Sequence, residues 1–153
     1  MTVEAPPQDY RERLLPGPSL FLALLLLIPA VALVMTPISP QLAIPTGVAM
    51  YVLIAGSFLV LSPSLYVRDG RLTAGRAEIP VDQLGEVELL GSDALRRAIG
   101  PGTDARSYLL VRGWIHRGVR IENIDPVDPA PQWVLTSRHP EQLALAIEAA
   151  KRA

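Results

Sequence analysis

The chain has no cysteine, so disulfides, thiolate metal sites and cysteine nucleophiles are excluded, and the redox compartment is left open. Lysine is nearly absent, with Lys151 alone beside 13 arginines, and histidine occurs only at His116 and His139. Charge of either sign is missing from Leu14 to Val67, a run of 54 residues without Asp, Glu, Lys, Arg or His. About 18 uncharged apolar residues already read as one membrane span, so this run is too long and too apolar to be the core of a 153-residue soluble domain. The 14 basic and 15 acidic residues flank it in mixed order and nearly cancel, leaving a net charge of −1 and no broad basic face for nucleic acid.

Prolines divide the run. Gly17-Pro18 opens a first helix, and Pro37 ends it at Thr36, giving 19 residues, or roughly 28 Å at 1.5 Å per residue. Pro29 lies inside and is expected to kink the helix through the carbonyl of Leu25. Ser39-Pro40 reads as cap and first residue of a second helix reaching Leu61, so residues 37–39 form a tight turn and the pair a transmembrane hairpin. Small residues at Ala43, Gly47, Ala49 and Gly56 would permit close helix packing, including packing into a larger complex. Neither span holds an ionisable residue, so a proton relay or ion pathway lacks its usual groups.

Arginine distribution sets the expected orientation. Arg11 and Arg13 precede the first helix, Arg68, Arg71 and Arg76 follow the second, and the turn has none, which places both termini in the cytoplasm of an inner (plasma) membrane. Residues 1–17 then form a cytoplasmic N-terminal segment. A rival is cleavage of a signal peptide after Ala30-Val31-Ala32, a small-x-small site following an apolar stretch.

After Pro63 the pattern becomes one of short alternating segments, which predicts a small, mostly antiparallel α+β domain over residues 64–153. Leu65–Arg68 and Arg71–Ala74 flank Asp69-Gly70, a strong hairpin signal. Further strands are expected at Glu86–Leu89, Ser107–Arg112, Val119–Glu122 and Gln132–Thr136, five to seven in all. A short helix over Ser92–Ile99, with Ser92 as its cap, and a terminal helix from Pro140 complete the domain. In the terminal helix Leu143, Ile147 and Ala150 share the face that should cover the sheet.

Candidate chemistry is sparse. The two histidines have no metal-ligand spacing, no nucleophile motif surrounds any serine or threonine, and no cofactor is implied. Clustered carboxylates such as Glu122, Asp125 and Asp128 can bind a hard cation, but Asp125-Pro126 and Asp128-Pro129 read better as turn initiators, and the alternative function is an enzyme using these three carboxylates on a lipid or envelope precursor. The juxtamembrane arginines offer a binding role instead, since each can gain about 1 kcal/mol beside anionic lipid. Arg112, Trp114, Arg117 and Arg120 form a second basic-aromatic group, and Trp133 with Arg138 a third. A non-catalytic module binding a protein partner or anionic lipid headgroups is therefore expected, with Arg68, Arg71, Arg76, Arg112 and Trp114 as its contacts.

Several segments carry a family resemblance: Tyr10-Arg11-Glu12-Arg13-Leu14, Gly75-Arg76-Ala77 with Pro80, Arg112-Gly113-Trp114, the stretch from Asp125-Pro126 to Trp133, and Thr136-Ser137-Arg138-His139-Pro140. Together they resemble an actinobacterial family of two-helix membrane proteins known as domain of unknown function 3093. The resemblance implies architecture and no activity. The order of helices, β domain and terminal helix is also similar, at fold level only, to membrane proteins bearing pleckstrin-homology-like modules.

Overall fold

The computed structural model describes residues 9–153, and the start of the expected N-terminal segment, residues 1–8, lies outside them. The described residues divide into two compact units, Leu15–Ser62 and a second in which residues 9–14 join Pro63–Ala153.

The first unit is helical. Its opening helix is broken in two, α1 (Pro18–Leu24) and α2 (Leu27–Met35), where one kinked helix to residue 36 was expected. The break follows from Pro29. Its ring displaces the Leu25 carbonyl, which instead accepts the Ile28 N–H at 3.1 Å, while Leu25 and Leu26 donate to Leu22 and Ala23 three residues back. Helix α3 (Pro40–Val60) begins after Ser39, whose hydroxyl makes no capping bond. Residues 18–35 and 40–60 are each long and apolar enough to cross a membrane. Only Ala43 and Gly47 are buried on α3. A Cβ at Gly47 would stand 2.7 Å from the Ile28 carbonyl oxygen, so this glycine is what lets α3 approach α2 so closely. Gly47, expected as a packing site for a larger complex, is thus occupied within its own hairpin.

The second unit holds two four-stranded sheets. One is antiparallel, in the order β1 (Tyr10–Arg13), β2 (Ser64–Arg68), β3 (Arg71–Ala74), β4 (Ala77–Pro80). The other has the order β5 (Leu84–Leu90), β7 (Gly118–Asn123), β8 (Gln132–Thr136), β6 (Tyr108–Leu110), with β6 parallel to β8 and the other pairs antiparallel. The β2–β3 hairpin closes through Asp69 and Gly70, with φ of 51° and 70°, the geometry of a two-residue primed turn. Short helix α4 (Ser92–Ala98) follows β5, and Gly91 rather than Ser92 occupies its cap position.

Strand β1 corrects the expected domain boundary. The domain does not begin at residue 64, because Tyr10–Arg13 pairs along β2, with Arg13 opposite Ser64 and Tyr10 opposite Val67, and the Leu14 N–H donates to the Pro63 carbonyl at 2.9 Å. The physical reason is the alternation Tyr-Arg-Glu-Arg, which turns Tyr10 and Glu12 inward and Arg11 and Arg13 outward. The terminal helix α5 (Pro140–Arg152) covers a core of Leu14, Leu65, Leu72, Ile121 and Leu135 with Leu143 and Ile147, all fully buried. Each such aliphatic side chain contributes about 1.5–3 kcal/mol. Leu90, Leu95, Ala98 and Val134 form a smaller cluster beneath α4.

Candidate functional site

The most polar buried point of the β domain lies where β1 meets the link between β8 and α5. The inward face of β1 carries Glu12, a carboxylate taken out of water. Oε2 accepts from the Tyr10 hydroxyl at 2.6 Å and from the Ser137 hydroxyl at 2.6 Å, and Oε1 accepts from the Arg138 backbone N–H at 2.9 Å. Ser137 in turn receives the His139 N–H at 3.0 Å. Three donors to one buried carboxylate make the group affordable inside the fold and fix three residues about it. Burial, reinforced by Glu12, pushes the Tyr10 phenol well above its ordinary value, so it remains a donor at neutral pH. Ser137 is fully buried, which withholds its hydroxyl from any substrate. The constellation ties together two segments 125 residues apart in sequence.

This tie sets the backbone of basic side chains on either side of it. Arg11, Arg13, Arg138 and His139, with Asp9 and Gln142, line a cleft of about 470 Å³ between β1 and the start of α5. Arg11 also reaches a second cleft of about 460 Å³ on the outer face of β1 and β2, shared with Tyr66 and Arg68. Ser92, Trp114, His116, Arg117 and Arg138 line a third, of about 380 Å³. Arg138 borders both the first and the third. The opposite sign gathers on the β5–β7 face, where Glu86, Glu88 and Glu122 surround Arg120, which pairs with Glu88. A net charge of −1 therefore conceals a domain with separated basic and acidic regions.

The five residues expected as contacts occupy three places. Arg68 and Arg71 flank the β2–β3 turn and pair with Asp69 at 3.4 Å and Glu78 at 3.0 Å, both exposed and of small energetic weight. Arg76 sits beyond β3 at the other end of that sheet, where the Gly75 N–H donates to the Ser64 carbonyl at 2.9 Å and Arg13 faces Ser64. Arg112 is held by its own N–H on the Thr136 hydroxyl at 3.1 Å, with its Nε buried, and Trp114 is half-buried against the core. Glu12, Tyr10 and Ser137 were not singled out as site residues, although the period-two alternation of Tyr10–Arg13 is visible in the sequence.

The aspartates near Pro126 and Pro129 act as turn residues. Asp125 accepts the Val127 N–H at 2.8 Å, and Asp128 accepts the Ala130 N–H at 2.9 Å and the Asn123 amide at 2.8 Å. Among the described residues, no three His, Asp or Glu side chains gather as metal ligands.

A family model described as protein of unknown function (DUF3093) matches residues 9–147. The chain belongs to that family. The match begins one residue before β1 and runs into α5, so it takes in the helical hairpin and both segments joined at Glu12. No curated protein and no solved structure matches this DUF3093 chain.

Proposed function

We propose that this DUF3093 protein is a two-span membrane protein whose β domain, on the cytoplasmic side with both termini, is a non-catalytic interaction module for anionic lipid headgroups or a protein partner at the membrane surface. The observation that carries the reading is the pairing of β1 with β2. These strands flank the hairpin in sequence, and they can pair only if the intervening helices cross the bilayer an even number of times. Supporting it, α1, α2 and α3 present exposed Leu, Ile and Val side chains on nearly every face, an arrangement that apolar surroundings favour. The same pairing argues against cleavage after Ala32, which would sever β1 from its partner strand. Arginines at both ends of the hairpin and none in its turn favour the cytoplasmic side.

Two four-stranded sheets closed by a terminal helix support a pleckstrin-homology-like reading of the domain, with the parallel β6 edge as a departure. That analogy supplies no ligand. The binding surface we favour is the cleft beside β1, because Arg11 and Arg13 come from the strand that leads directly into the first helix.

The absence of native cysteine makes the topology testable by single substitutions. In intact cells an impermeant maleimide should label Ile38→Cys, in the exposed turn, and should label Glu78→Cys only after permeabilisation. Labelling of Glu78→Cys from outside would overturn the orientation. For the interaction, the full chain in nanodiscs should show slower amide exchange along β1 with anionic than with zwitterionic lipid. Equal exchange removes the lipid half of the proposal.

A further inference from the structure

We propose that β1 is a strap through which the thickness of the bilayer governs the seating of α5, with the broken span α1–α2 as its lever. This role rests on the two-span reading above and adds regulation to it. Residues 18–35 and 40–60 make spans of roughly 27 Å and 31 Å at 1.5 Å per residue, and in a bilayer thinner than that a span tilts or kinks. α3 runs unbroken through Pro45 to Val60, so it tilts as a rod. The other span already contains a break. There Leu25 and Leu26 donate only three residues back, to Leu22 and Ala23, and a 3₁₀ stretch inside a helix is a natural hinge. On one side of the hinge, the Ile28 backbone of α2 is seated against Gly47 of α3, where a Cβ would stand 2.7 Å from the Ile28 carbonyl oxygen. On the other side α1 has seven residues, none of them buried, and is the part of the hairpin left to swing.

The swing is passed to the β domain along the chain. Residues 15–17 join α1 to Leu14, residues 61 and 62 join α3 to Pro63, and the Leu14 N–H donates to the Pro63 carbonyl at 2.9 Å. Because β1 and β2 are antiparallel, both helices attach to the same end of the ladder, whose bonds run across the strands. Drawing Leu14 away from Pro63 therefore opens those bonds in turn, by peeling, instead of straining all of them together. β1 stands at the edge of its sheet, with β2 as its one neighbouring strand among the described residues. Fully buried Leu14 is the latch at the helix end. Glu12, two residues further in, holds the start of α5 through the Ser137 hydroxyl and the Arg138 N–H, so a peeled β1 withdraws that anchor. A thin bilayer favours the bent hairpin over the straight one, which is the differential interaction that a shift in population requires.

The test follows amide hydrogen exchange of the full chain in nanodiscs of phosphatidylcholine with long or short acyl chains. Short chains should speed exchange of the β1 amides and of the Arg138 amide by about fivefold or more, the low end of couplings between linked sites, and should leave β7 unchanged. With no native cysteine, Arg13→Cys together with Ser64→Cys sets a single thiol pair across the helix end of the ladder, at a spacing that a disulfide spans. Oxidising this pair should remove the dependence on acyl-chain length, and reducing it should restore it. Pro29→Ala, which lets residue 29 donate to the Leu25 carbonyl, should diminish the same dependence without altering the β domain. Equal exchange in the two discs, an equal rise in β7, or a dependence that survives oxidation overturns the strap and leaves the two-span reading standing. Failure of the chain to enter either disc overturns both.

Discussion

The helical hairpin and the β domain bury their apolar residues in opposite ways. In α1–α3 only Ala43 and Gly47 are buried, while Leu26 and Leu33 are 72% and 77% exposed. In the β domain, Leu65, Leu72, Ile121 and Leu143 are each 0% exposed, and Arg11, Arg13, Arg68 and Arg71 lie outside. One unit is held by its own core and by a buried polar tie. The other packs α2 along α3 with a close approach at Gly47, and leaves most of its apolar surface exposed. Instability in the two units should therefore respond to different substitutions.

The largest effect is expected from Glu12→Ala. It orphans the Arg138 N–H and leaves the Tyr10 and Ser137 hydroxyls, 3.0 Å apart, with only each other to share a proton, at about 1–3 kcal/mol for each buried group left unsatisfied. Thermal unfolding of the β domain should fall sharply while the hairpin keeps its helicity, and an unchanged melting temperature would show that the tie is not structural. Leu26→Asp tests the other unit. On an exposed face in water this change would be nearly neutral, but in the middle of a span it costs about 2.5–3.5 kcal/mol. Loss of membrane recovery with a folded β domain is expected, and undiminished recovery would break the comparison.

Gly47→Leu sharpens the account of the hairpin. Its side chain meets the Ile28 backbone, so an overpacking cost of about 1–3 kcal/mol is expected, readable as faster proteolysis of the hairpin in detergent. Gly56→Ala, with no atom within 4 Å of the added Cβ, should have no such effect. The smallest effect concerns pH. The Tyr10 phenol is raised above its ordinary 10.0, so its contribution is fully present below about pH 10 and is lost as pH rises through the higher folded value. Wild-type stability should therefore decline above about pH 10 more steeply than that of Tyr10→Phe, and parallel alkaline profiles would exclude the phenol as the cause.

Local features were legible in the sequence because their causes are local. Pro18, Pro37 and Pro40 bound the helices, Asp69-Gly70 closes the β2–β3 hairpin, and Pro140 opens α5, each through the backbone angles its own residues prefer. Strand β4 (Ala77–Pro80) escaped because it is four residues long and ends in proline. β1 escaped because a charge-free stretch separates it from its partner strand, and nothing in the intervening sequence announces the pairing.

The sequence by itself determined that two apolar helices precede a small β-rich domain, and that no charge enters the helices. Those properties follow from composition, periodicity and turn chemistry within short windows. Only the tertiary structure decided that residues before the hairpin complete a sheet formed after it, that Glu12 meets Ser137, and that Arg117 and Arg138 share a cleft with Trp114. Such contacts join segments separated by dozens of residues, and they form because burying Tyr10 and Glu12 requires polar partners that their own strand does not fully provide.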